Sequence, residues 1–381
     1  MIRFGVAGLS HFHAKAILDS ALGMGTARGK NDIQVVSISE EDDALYGATG
    51  AGYGLQRYKD AVTMCERERL DAVALVERPD RRAETAIRLL SMGIDVLIDK
   101  PAALDVETLG ELAEAAEKGP GRLFPYFTVR YERPVAKTLE LITSGAIGKV
   151  SSFTSLRPHK LLAGTRPDWF WDMKGGVAVD LAIHDIDIYR AACGFGHDMA
   201  FTAFGSQGSF SKTARSDYLG FADSCQFLLR PEEGPSGTFL ADWLTPSADP
   251  RHGDCVYFIA GTEGRIEVRG TGGIPGEGEA LILINGLVNG LIDFPSGSLS
   301  NAGRGPTVRI DPPREGAGIL DDFFSSRLGV KASPFAPDWK DLVTANAIAI
   351  AAAEAAETGE VREYSGQMIP DKGRRCGDVL D

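Results

Sequence analysis

The chain has 381 residues, more than one hydrophobic core usually serves, so its length predicts two domains. Its 40 Lys and Arg against 53 Asp and Glu give a formal net charge of −13 without any basic block, which argues against nucleic acid and anionic membranes as partners. With 44% hydrophobic and 24% charged residues, the composition is that of a folded globular protein and excludes a disordered chain.

Strand and helix patterns alternate over the first third of the chain. Short apolar runs typical of buried strands lie at 2–7, 33–38, 71–76, 94–98 and 122–127. Helical patterns lie at 13–22, 81–92 and 106–118, and a Gly-rich polar segment at 23–32 is predicted to be an inserted loop. The alternation indicates βαβ units, so we expect an α/β domain over 1–125 with a Rossmann-like, doubly wound parallel sheet. Ligands bind at the strand-end rim of such sheets.

The pattern changes beyond residue 126. A helix at 133–144, a strand at 150–157 and a helix at 177–192 come first. Strand patterns without helices between them follow at 199–207, 218–229, 237–244, 255–260 and 264–269. They predict an α+β domain over 126–381 with a large, mostly antiparallel open sheet.

The last part of the chain has less regular patterning. Residues 270–315 are rich in Gly and Pro and predict extended loops, with one apolar stretch at 281–293. Helices are expected at 318–328 and 339–357, and the polar tail after Tyr364 is expected to be peripheral.

The cysteines, the apolar runs and the first residues of the sequence together predict the cellular compartment. The cysteines are scattered without a C-x-x-C pair, so we expect buried thiols rather than a disulfide framework. No apolar run approaches the roughly 18 residues of a membrane span. The segment 1–5 leads directly into a strand pattern, so we expect no signal peptide and a cytoplasmic location.

A candidate phosphate loop follows the first strand. A dinucleotide fingerprint G-x-G-x-x-G beginning at Gly8 would have Ser10 and His13 in its second and third glycine positions. Serine is small and offers a hydroxyl, and His13 can cap the following helix or donate to a phosphate. We therefore take Gly8, Ser10, His11 and His13 as cofactor-binding candidates. A tight turn without a ligand is the alternative.

Glu40 is the first acidic residue after the second strand, where a dinucleotide domain places the residue that binds the ribose hydroxyls. A carboxylate there would repel a 2′-phosphate, so NAD is expected as the cofactor rather than NADP. The alternative is that Glu40 belongs to a solvated acidic run over 40–43.

The apolar strand at 94–98 is followed directly by Asp99, Lys100 and Pro101. This places a charged pair on the ligand-binding rim of the sheet. A lysine near a nicotinamide can hydrogen-bond a substrate oxygen, which makes Lys100 a catalytic candidate. The alternative is an ordinary surface lysine.

The helix at 177–192 carries Asp180, His184 and Asp187 at i, i+4 and i+7, on one face of an otherwise apolar helix. Burying polar groups is costly unless they are paired or used. Asp180 can orient the His184 ring, and His184 can shuttle a proton near neutral pH. A metal site formed by the three side chains and a structural polar stripe are the alternatives. We expect no metal, because no further cluster of ligand residues is evident.

Taken together these residues resemble the Gfo/Idh/MocA family of NAD(P)-dependent oxidoreductases over nearly the whole chain. The motifs that carry the resemblance are D-A-V at 71–73, A-E-T-A at 83–86, G-I-D-V-L-I-D-K-P at 93–101, R-Y-E-R-P at 130–134, S-G-A-I-G-K-V at 144–150 and G-G-V-A-V-D-L-A-I-H-D-I-D at 175–187. The resemblance implies a substrate held between the two domains. It also implies a homodimer or homotetramer formed through the C-terminal sheet.

The resemblance also assigns roles by motif. Lys100 would hold the reacting oxygen, Asp180 would bind a neighbouring hydroxyl, and His184 would act as general acid/base. The implied activity is hydride transfer between nicotinamide and a CH–OH carbon of a sugar, cyclitol or related polyol. Two alternatives stay open: a cofactor-binding sensor with little catalysis, and an NAD-assisted lyase or glycosidase.

Three motifs depart from the family pattern. The glycine fingerprint is reduced to Gly8, E-K-P is replaced by Asp99-Lys100-Pro101, and T-P-N-x-x-H is replaced by the segment 77–82, which normally lies near the nicotinamide ribose. Glu77, Pro79 and Asp99 are accordingly cofactor-binding candidates. The arginines of the segment, at 78, 81 and 82, are candidates for recognising an anionic group.

The substrate pocket is expected between the loop at 158–174 and strands of the second sheet. Its candidate lining residues are Arg157, His159, Lys160, Trp169 and Trp171. Aromatic faces suit sugar rings, although Trp is also an ordinary core residue.

Overall fold

The computed structural model describes residues 1–27, 32–161, 167–210, 222–271, 280–285, 289–293, 298–301 and 318–366. The first sheet consists of β1 (Ile2–Ala7), β2 (Ile33–Ser39), β3 (Gln56–Tyr58), β4 (Ala72–Leu75), β5 (Asp95–Ile98) and β6 (Leu123–Pro125). All six strands are parallel in the order β3-β2-β1-β4-β5-β6, and the order reverses between β1 and β4. The predicted Rossmann-like sheet is therefore confirmed.

The connecting helices are α1 (His13–Ala27), α2 (Asp43–Leu45), α3 (Ala61–Glu68), α4 (Pro79–Ser91) and α5 (Val106–Lys118). The prediction of an inserted loop at 23–32 is wrong for its first half, because α1 continues to Ala27; residues 28–31 lie outside the described part. β3 and α3 were not predicted from the sequence. β3 has only three residues and its sequence, QRY, has no apolar run.

Local sequence accounts for where these elements begin and why they are buried. The side chains of Asp60 and Asp105 accept hydrogen bonds from the main-chain N–H groups of Thr63 and Thr108, which caps the start of α3 and α5. β4 and β5 are buried at every position, as expected for parallel strands covered by helices on both faces. Rigid strands thus carry the loops at the carboxyl edge.

Helices and one strand open the second half. They are α6 (Arg133–Thr143), β7 (Val150–Pro158), α7 (Asp168–Trp171) and α8 (Ile183–Cys193). A π-helical turn, Ala178–Ala182, leads directly into α8, so the predicted helix at 177–192 is one continuous segment with a widened first part.

The second sheet has ten strands in the order β15-β14-β13-β12-β11-β7-β10-β9-β8-β16. Besides β7 they are β8 (Phe201–Gly208), β9 (Ser224–Pro231), β10 (Gly237–Asp242), β11 (Cys255–Gly261), β12 (Gly264–Thr271), β13 (Ala280–Asn285), β14 (Asn289–Asp293), β15 (Ser298–Asn301) and β16 (Arg362–Tyr364). Among the described strands of this sheet, only β7 and β10 pair in parallel, which confirms a large, mostly antiparallel sheet.

One prediction for this sheet is wrong. The segment 270–315 was expected to form extended loops, yet β13, β14 and β15 lie within it and extend the sheet beyond β12. The apolar sequence ALILIN of β13 supplies the strand pattern, with Leu281 and Leu283 buried. The surrounding Gly and Pro residues masked this pattern. Residues 302–317 lie outside the described part.

Two C-terminal helices, α9 (Ile319–Leu328) and α10 (Trp339–Thr358), return to the first sheet. In α9, the rings of Phe323 and Phe324 lie 6.3 and 5.2 Å from the ring of Phe4 on β1. In α10, the side chain of Asn346 bonds the main chain of Ala102 and Ala103 after β5. The hydrophobic core of the first sheet therefore includes residues from the end of the chain.

The described cysteines are free and no disulfide joins them: Cys65, Cys193, Cys225 and Cys255. Cys376 and most of the tail after Tyr364 lie outside the described residues. Among the helices of the described ranges, none combines the length and apolar character needed to cross a membrane.

Candidate functional site

The site is centred on Lys100, which follows β5 at the carboxyl edge of the first sheet and reaches the π-helical turn before α8. The lysine is 6% exposed. Its Nζ donates to the main-chain oxygen of Asp180 at 2.7 Å and to Asp180 Oδ1 at 2.8 Å. An ammonium group has three donors, so one N–H of Lys100 is unused within the described residues. The structure therefore brings Lys100 and Asp180 together.

His184 lies in the first turn of α8 and is buried, with its ring 6.0 Å from the ring of Phe127. Burial lowers its pKa well below the ordinary value, and the nearby charges of Lys100 and Arg157 lower the pKa further. Its Nδ1 has no hydrogen-bond partner among the described residues. The ring is therefore held neutral, and a neutral imidazole with an unoccupied nitrogen has the form that a general base requires.

The expected orientation of His184 by Asp180 is not observed. Residues four apart face each other on an α-helix, but Asp180 lies in the π-helical turn, whose wider spacing changes that alignment. Asp180 pairs with Lys100 instead, and Asp187 pairs with Arg130 through two bonds of 2.5 and 2.6 Å. A metal site formed by Asp180, His184 and Asp187 is not supported, since both carboxylates already hold cations.

Gly8 and Ser10 shape the loop between β1 and α1. Gly8 has φ +80°, and a Cβ at this position would lie 2.5 Å from the main-chain nitrogen of Glu77. Only glycine fits there, because the loop passes so close to the turn after β4. Ser10 Oγ donates to the main-chain oxygen of Val76 at 3.0 Å, which anchors the loop to the same turn.

Glu40 is 8% exposed and is not part of a solvated acidic run, so that alternative is wrong for this residue. Its Oε2 accepts from the main-chain N–H of Leu9 at 2.8 Å and its Oε1 from that of Asp42 at 2.9 Å. The carboxylate thereby ties the end of β2 to the loop after β1. This places a negative charge beside the candidate phosphate loop.

Asp99 connects the same loop to the end of β5. Its Oδ1 lies 2.8 Å from His13 Nδ1 and accepts from the main-chain N–H of Lys100 at 2.8 Å, and its Oδ2 lies 3.6 Å from His11 Nδ1. Burial alone would raise the pKa of Asp99, but the charges of His13 and Arg82 outweigh burial and hold the pKa well below the ordinary value. His11, His13 and Asp99 thus form one cluster, which the sequence analysis missed.

Arg82 is 1% exposed and stabilises the main chain. It donates to the main-chain oxygens of Glu77, Asp99 and Pro101 at 2.6 to 3.1 Å. The prediction that Arg82 could recognise an anionic group is therefore wrong, because its buried guanidinium donates four hydrogen bonds to these main-chain oxygens.

The other members of the segment 77–82 lie nearer the surface. Arg78 pairs with Asp80 at 2.8 Å, and Arg81 pairs with Glu41 at 2.9 Å. Glu77 is half-buried and accepts from Thr85 at 2.7 Å, and burial raises its pKa. Each of these two arginines already pairs with a neighbouring carboxylate, which weakens its attraction for the anionic group of a ligand.

A crevice with a volume of about 110 Å³ lies between the start of α4 and the region around α7. Its lining residues are Arg78, Pro79, Asp80, Leu104, Trp169, Asp172 and Met173. Pro79 and Trp169 thus meet across one opening. The sequence analysis missed Leu104, Asp172 and Met173, since no local pattern marks residues that only the folded chain brings together.

Arg157 is 2% exposed and forms a buried ion pair. Its Nε and Nη2 donate to Asp185 Oδ1 at 2.8 and 2.6 Å, and the hydroxyl of Tyr257 donates to the same oxygen at 2.7 Å. The pair connects β7 to α8 at the residue that follows His184. The substrate-binding role of Arg157 stays a prediction.

The remaining substrate candidates line the interior of this region. His159 Nδ1 lies 2.8 Å from the main-chain oxygen of Pro158, and burial together with the charge of Arg157 lowers the pKa of His159 well below its ordinary value. Trp171 is 4% exposed and packs edge-on against Phe170. Lys160 donates to the main-chain oxygen of Asp249. Trp169 and Lys160 are half-buried.

The loop after β1 fits a dinucleotide. α1 begins at His13 and points the N-terminal end of a 15-residue helix at the rim of the sheet. Within the described part of the chain, the N–H groups of Ser10 and Phe12 have no acceptor. Free main-chain donors at a helix start are the groups that hold a diphosphate. Glu40 stands at the end of β2, where the ribose hydroxyls of such a cofactor would lie.

Comparison with known protein families agrees with this arrangement. A profile described as "Oxidoreductase family, NAD-binding Rossmann fold" matches residues 2–127. A second profile, described as "GFO/IDH/MocA C-terminal domain", matches residues 135–273.

Individual proteins are similar over much of the chain. The rhizopine catabolism protein MocA of Rhizobium meliloti is 24% identical over 309 residues, which is 80% of this chain and 89% of that protein. The NAD(+)-dependent scyllo-inositol 2-dehydrogenase of Bacillus subtilis is 22% identical over 263 residues, 69% of this chain and 71% of that enzyme. Among solved structures, a levoglucosan dehydrogenase in complex with NADH and levoglucosan has a TM-score of 0.73 at 19% identity, covering 95% of this chain and 99% of that one.

Proposed function

The chain belongs to the Gfo/Idh/MocA family of NAD-dependent oxidoreductases, and on that premise we propose that it oxidises a CH–OH group of a cyclitol, sugar or related polyol. The relatives that act on inositol and levoglucosan support this substrate class. When bound, NAD accepts the hydride from the carbinol carbon.

One observation carries the proposal. The ammonium group of Lys100 is fixed by two bonds to Asp180 and keeps one donor unused within the described residues. A substrate hydroxyl oxygen placed against this donor would be polarised by a charged hydrogen bond, which strengthens as negative charge develops on the oxygen during oxidation. Asp180, whose own position is fixed by Lys100, would accept from a neighbouring substrate hydroxyl.

His184 would take the hydroxyl proton. Its lowered pKa keeps the ring neutral near pH 7, so it can act as a general base during oxidation and return the proton during reduction. Arg157 on β7 pairs with Asp185, the residue after His184, and so fixes the start of α8 against β7. They are positioning residues in this proposal.

Glu40 supports NAD rather than NADP. The carboxylate is held by the N–H groups of Leu9 and Asp42 and cannot swing away from the loop. A 2′-phosphate at this edge would meet a fixed negative charge in a partly buried position, which is unfavourable. Gly8, Ser10, Glu77 and the proline that starts α4 are proposed to complete the cofactor site.

The test is turnover by the purified full-length protein. NAD is mixed with myo-inositol, scyllo-inositol, levoglucosan and a panel of aldoses, and reduced cofactor is followed by its absorbance. Lys100→Ala is expected to lower kcat/KM by at least about 100-fold through loss of the charged donor. Lys118→Ala is the matched control, because Lys118 is exposed and bonds only Glu114 on its own helix. Equal activity of Lys100→Ala and the unchanged protein would refute the proposal.

The same assay separates the two alternative functions. An NAD-assisted lyase or glycosidase would form product by chromatography without net reduction of the cofactor. A sensor would bind NAD tightly by calorimetry and exchange no hydride in either direction. Net reduction of NAD with a polyol supports the dehydrogenase against both.

The substrate would lie between the lysine and the crevice at the start of α4. Trp169 is proposed to stack on a sugar ring, because it is half-buried and opens onto this crevice. His159, Trp171 and Arg157 are proposed to form the deeper wall. Trp169→Ala is expected to raise KM more than it lowers kcat, whereas Trp339→Ala, a half-buried tryptophan at the start of α10, is expected to change neither.

The exposed face of the second sheet is proposed to form a homodimer or homotetramer. Large apolar side chains that are 36 to 39% exposed cluster on β7, β8, β9 and β11: Leu156, Phe204, Leu228 and Phe258. An apolar sheet face is normally covered. The proposal is tested by comparing the sedimentation of the unchanged protein with that of Leu228→Glu, which places a charge on this face.

A cytoplasmic location stays a prediction, to be checked by cell fractionation.

A further inference from the structure

Two imidazoles and one carboxylate converge at the joint between the β1–α1 loop and the end of β5. One ligand atom from each of His11, His13 and Asp99 lies within 4.8 Å of the others. The His13 Nδ1–Asp99 Oδ1 distance is 2.8 Å and the His11 Nδ1–Asp99 Oδ2 distance is 3.6 Å. Two imidazole nitrogens and one carboxylate oxygen are a donor set that first-row divalent transition metals prefer in proteins.

A second observation points to a cation. Asp99 is 1% exposed, and its Oδ2 is buried with no hydrogen-bond partner among the described residues. The guanidinium of Arg82 holds its Nη2 3.7 Å from this oxygen, beyond hydrogen-bond distance. A buried carboxylate oxygen without a donor is costly. This oxygen lies on the same side of the cluster as His11.

We propose that His11, His13 and Asp99 bind a divalent transition metal such as Zn²⁺. The three residues would supply three ligands and leave a further position open to water or to an anionic oxygen. Ligand atoms around a tetrahedral zinc lie roughly 3.3 Å apart for bonds of about 2.0 Å, so the observed spacings need only small side-chain movements. The proposal does not depend on the dehydrogenase activity.

The charged groups around the cluster determine the metal affinity that we expect. Arg82 is fixed by three main-chain oxygens and cannot move away from Asp99, and Lys100 follows in sequence with its charge paired to Asp180. A fixed positive charge beside the carboxylate opposes a dication. We therefore expect affinity in the micromolar range, well below that of a structural zinc site.

The test uses the full-length protein freed of metal by a chelator. Calorimetric titration with ZnCl₂ is expected to show one site per chain, and CoCl₂ is expected to give a visible absorption band from a low-symmetry nitrogen and oxygen environment. His11→Gln and Asp99→Asn are expected to weaken zinc binding at least about 10-fold. His11 is the safer variant for folding, because its side chain is 14% exposed whereas that of Asp99 is 1% exposed.

The control is His197→Gln. His197 lies with Asp338 and Asp341 in a separate, more exposed group of ligand-type residues. If zinc binding is lost in His197→Gln and kept in His11→Gln, the metal belongs to that surface group and the proposal is overturned. Absence of zinc binding to the unchanged protein overturns it as well. Circular dichroism of each variant shows whether a loss reflects unfolding.

Discussion

Lys100 Nζ donates to both the main-chain and the side-chain oxygen of Asp180, across 80 residues of sequence. The pair fixes the ammonium group between the end of β5 and the π-helical turn before α8. Asp180→Ala would leave only the main-chain acceptor. Since misplacing a catalytic group by about 1 Å can cost on the order of 100-fold in rate, we expect kcat/KM to fall 10- to 100-fold. Glu114→Ala, which removes the acceptor of the exposed Lys118, should leave initial rates unchanged.

His184 is expected to act on kcat rather than on binding. His184→Gln keeps a polar side chain of similar size but removes the proton acceptor, and general acid/base groups contribute about 10² to 10⁴ in rate. Steady-state kinetics should show a lowered kcat with KM changed little. His197→Gln is the surface control. A His184→Gln enzyme with normal kcat would place the base elsewhere.

Two buried neutral histidines predict acid sensitivity. The pKa values of His184 and His159 are held well below the ordinary value of about 6.5 by burial first and then by neighbouring positive charges. The unfolded chain therefore binds more protons below pH 6.5, so their contribution to stability is complete above that pH and is lost as pH falls through it. Each contributes up to about 1.4 kcal/mol per pH unit.

Urea unfolding at pH 7.5, 6.5 and 5.5 measures this effect. The free energy of unfolding of His159→Gln should fall less steeply below pH 6.5 than that of the unchanged protein. His197→Gln, with its ring 39% exposed, should keep the original slope. A slope that is the same in all three proteins would contradict the assignment of His159 as neutral.

Gly8→Ala is expected to destabilise the protein more than an equivalent change elsewhere. Gly8 and Gly54 both have positive φ, which costs alanine about 1 kcal/mol. A Cβ at Gly8 would also collide with the main chain of Glu77, whereas nothing lies within 4 Å of a Cβ at Gly54. We expect Gly8→Ala to lower the free energy of unfolding by at least about 2 kcal/mol more than Gly54→Ala. Thermal unfolding of the two variants checks this difference.

Replacing Arg157 should lower the free energy of unfolding, whether or not the side chain contacts substrate. Arg157→Ala would leave the carboxylate of Asp185 buried beside Tyr257 without its cation. Breaking a buried ion pair from one side costs about 3 to 5 kcal/mol. Urea unfolding should show this loss. The double change Arg157→Met with Asp185→Leu should recover much of it, and failure to recover would contradict the ion-pair assignment.

Much of the fold could be predicted from sequence. The βαβ periodicity and the run of strands without helices gave the two sheets, because both patterns depend on local alternation of apolar residues. β3 and α3 were missed because a three-residue polar strand has no such alternation. β13 to β15 were missed because glycine and proline around them indicated loops, while pairing with β12 decided the outcome.

The candidate site, like the fold, could be predicted from sequence only in part. Lys100 and Asp180 were predicted from motifs at the ends of elements, and the structure brings them together. The expected contact between Asp180 and His184 failed because a π-helical turn cannot be recognised from spacing alone. The cluster of His11, His13 and Asp99 was missed because its members are separated by 86 residues and meet only when β1 and β5 enter one sheet.

The packing of α9 on β1 has a consequence for the order in which the protein can be made. Phe323 and Phe324 complete the core around Phe4, so the apolar face of β1 is covered only after α9, which follows much later in the chain, has been synthesised. During translation the nucleotide-binding half would leave the ribosome with that face open to chaperones. A version ending near residue 150 should consequently be prone to aggregation, although it contains every strand of the parallel sheet.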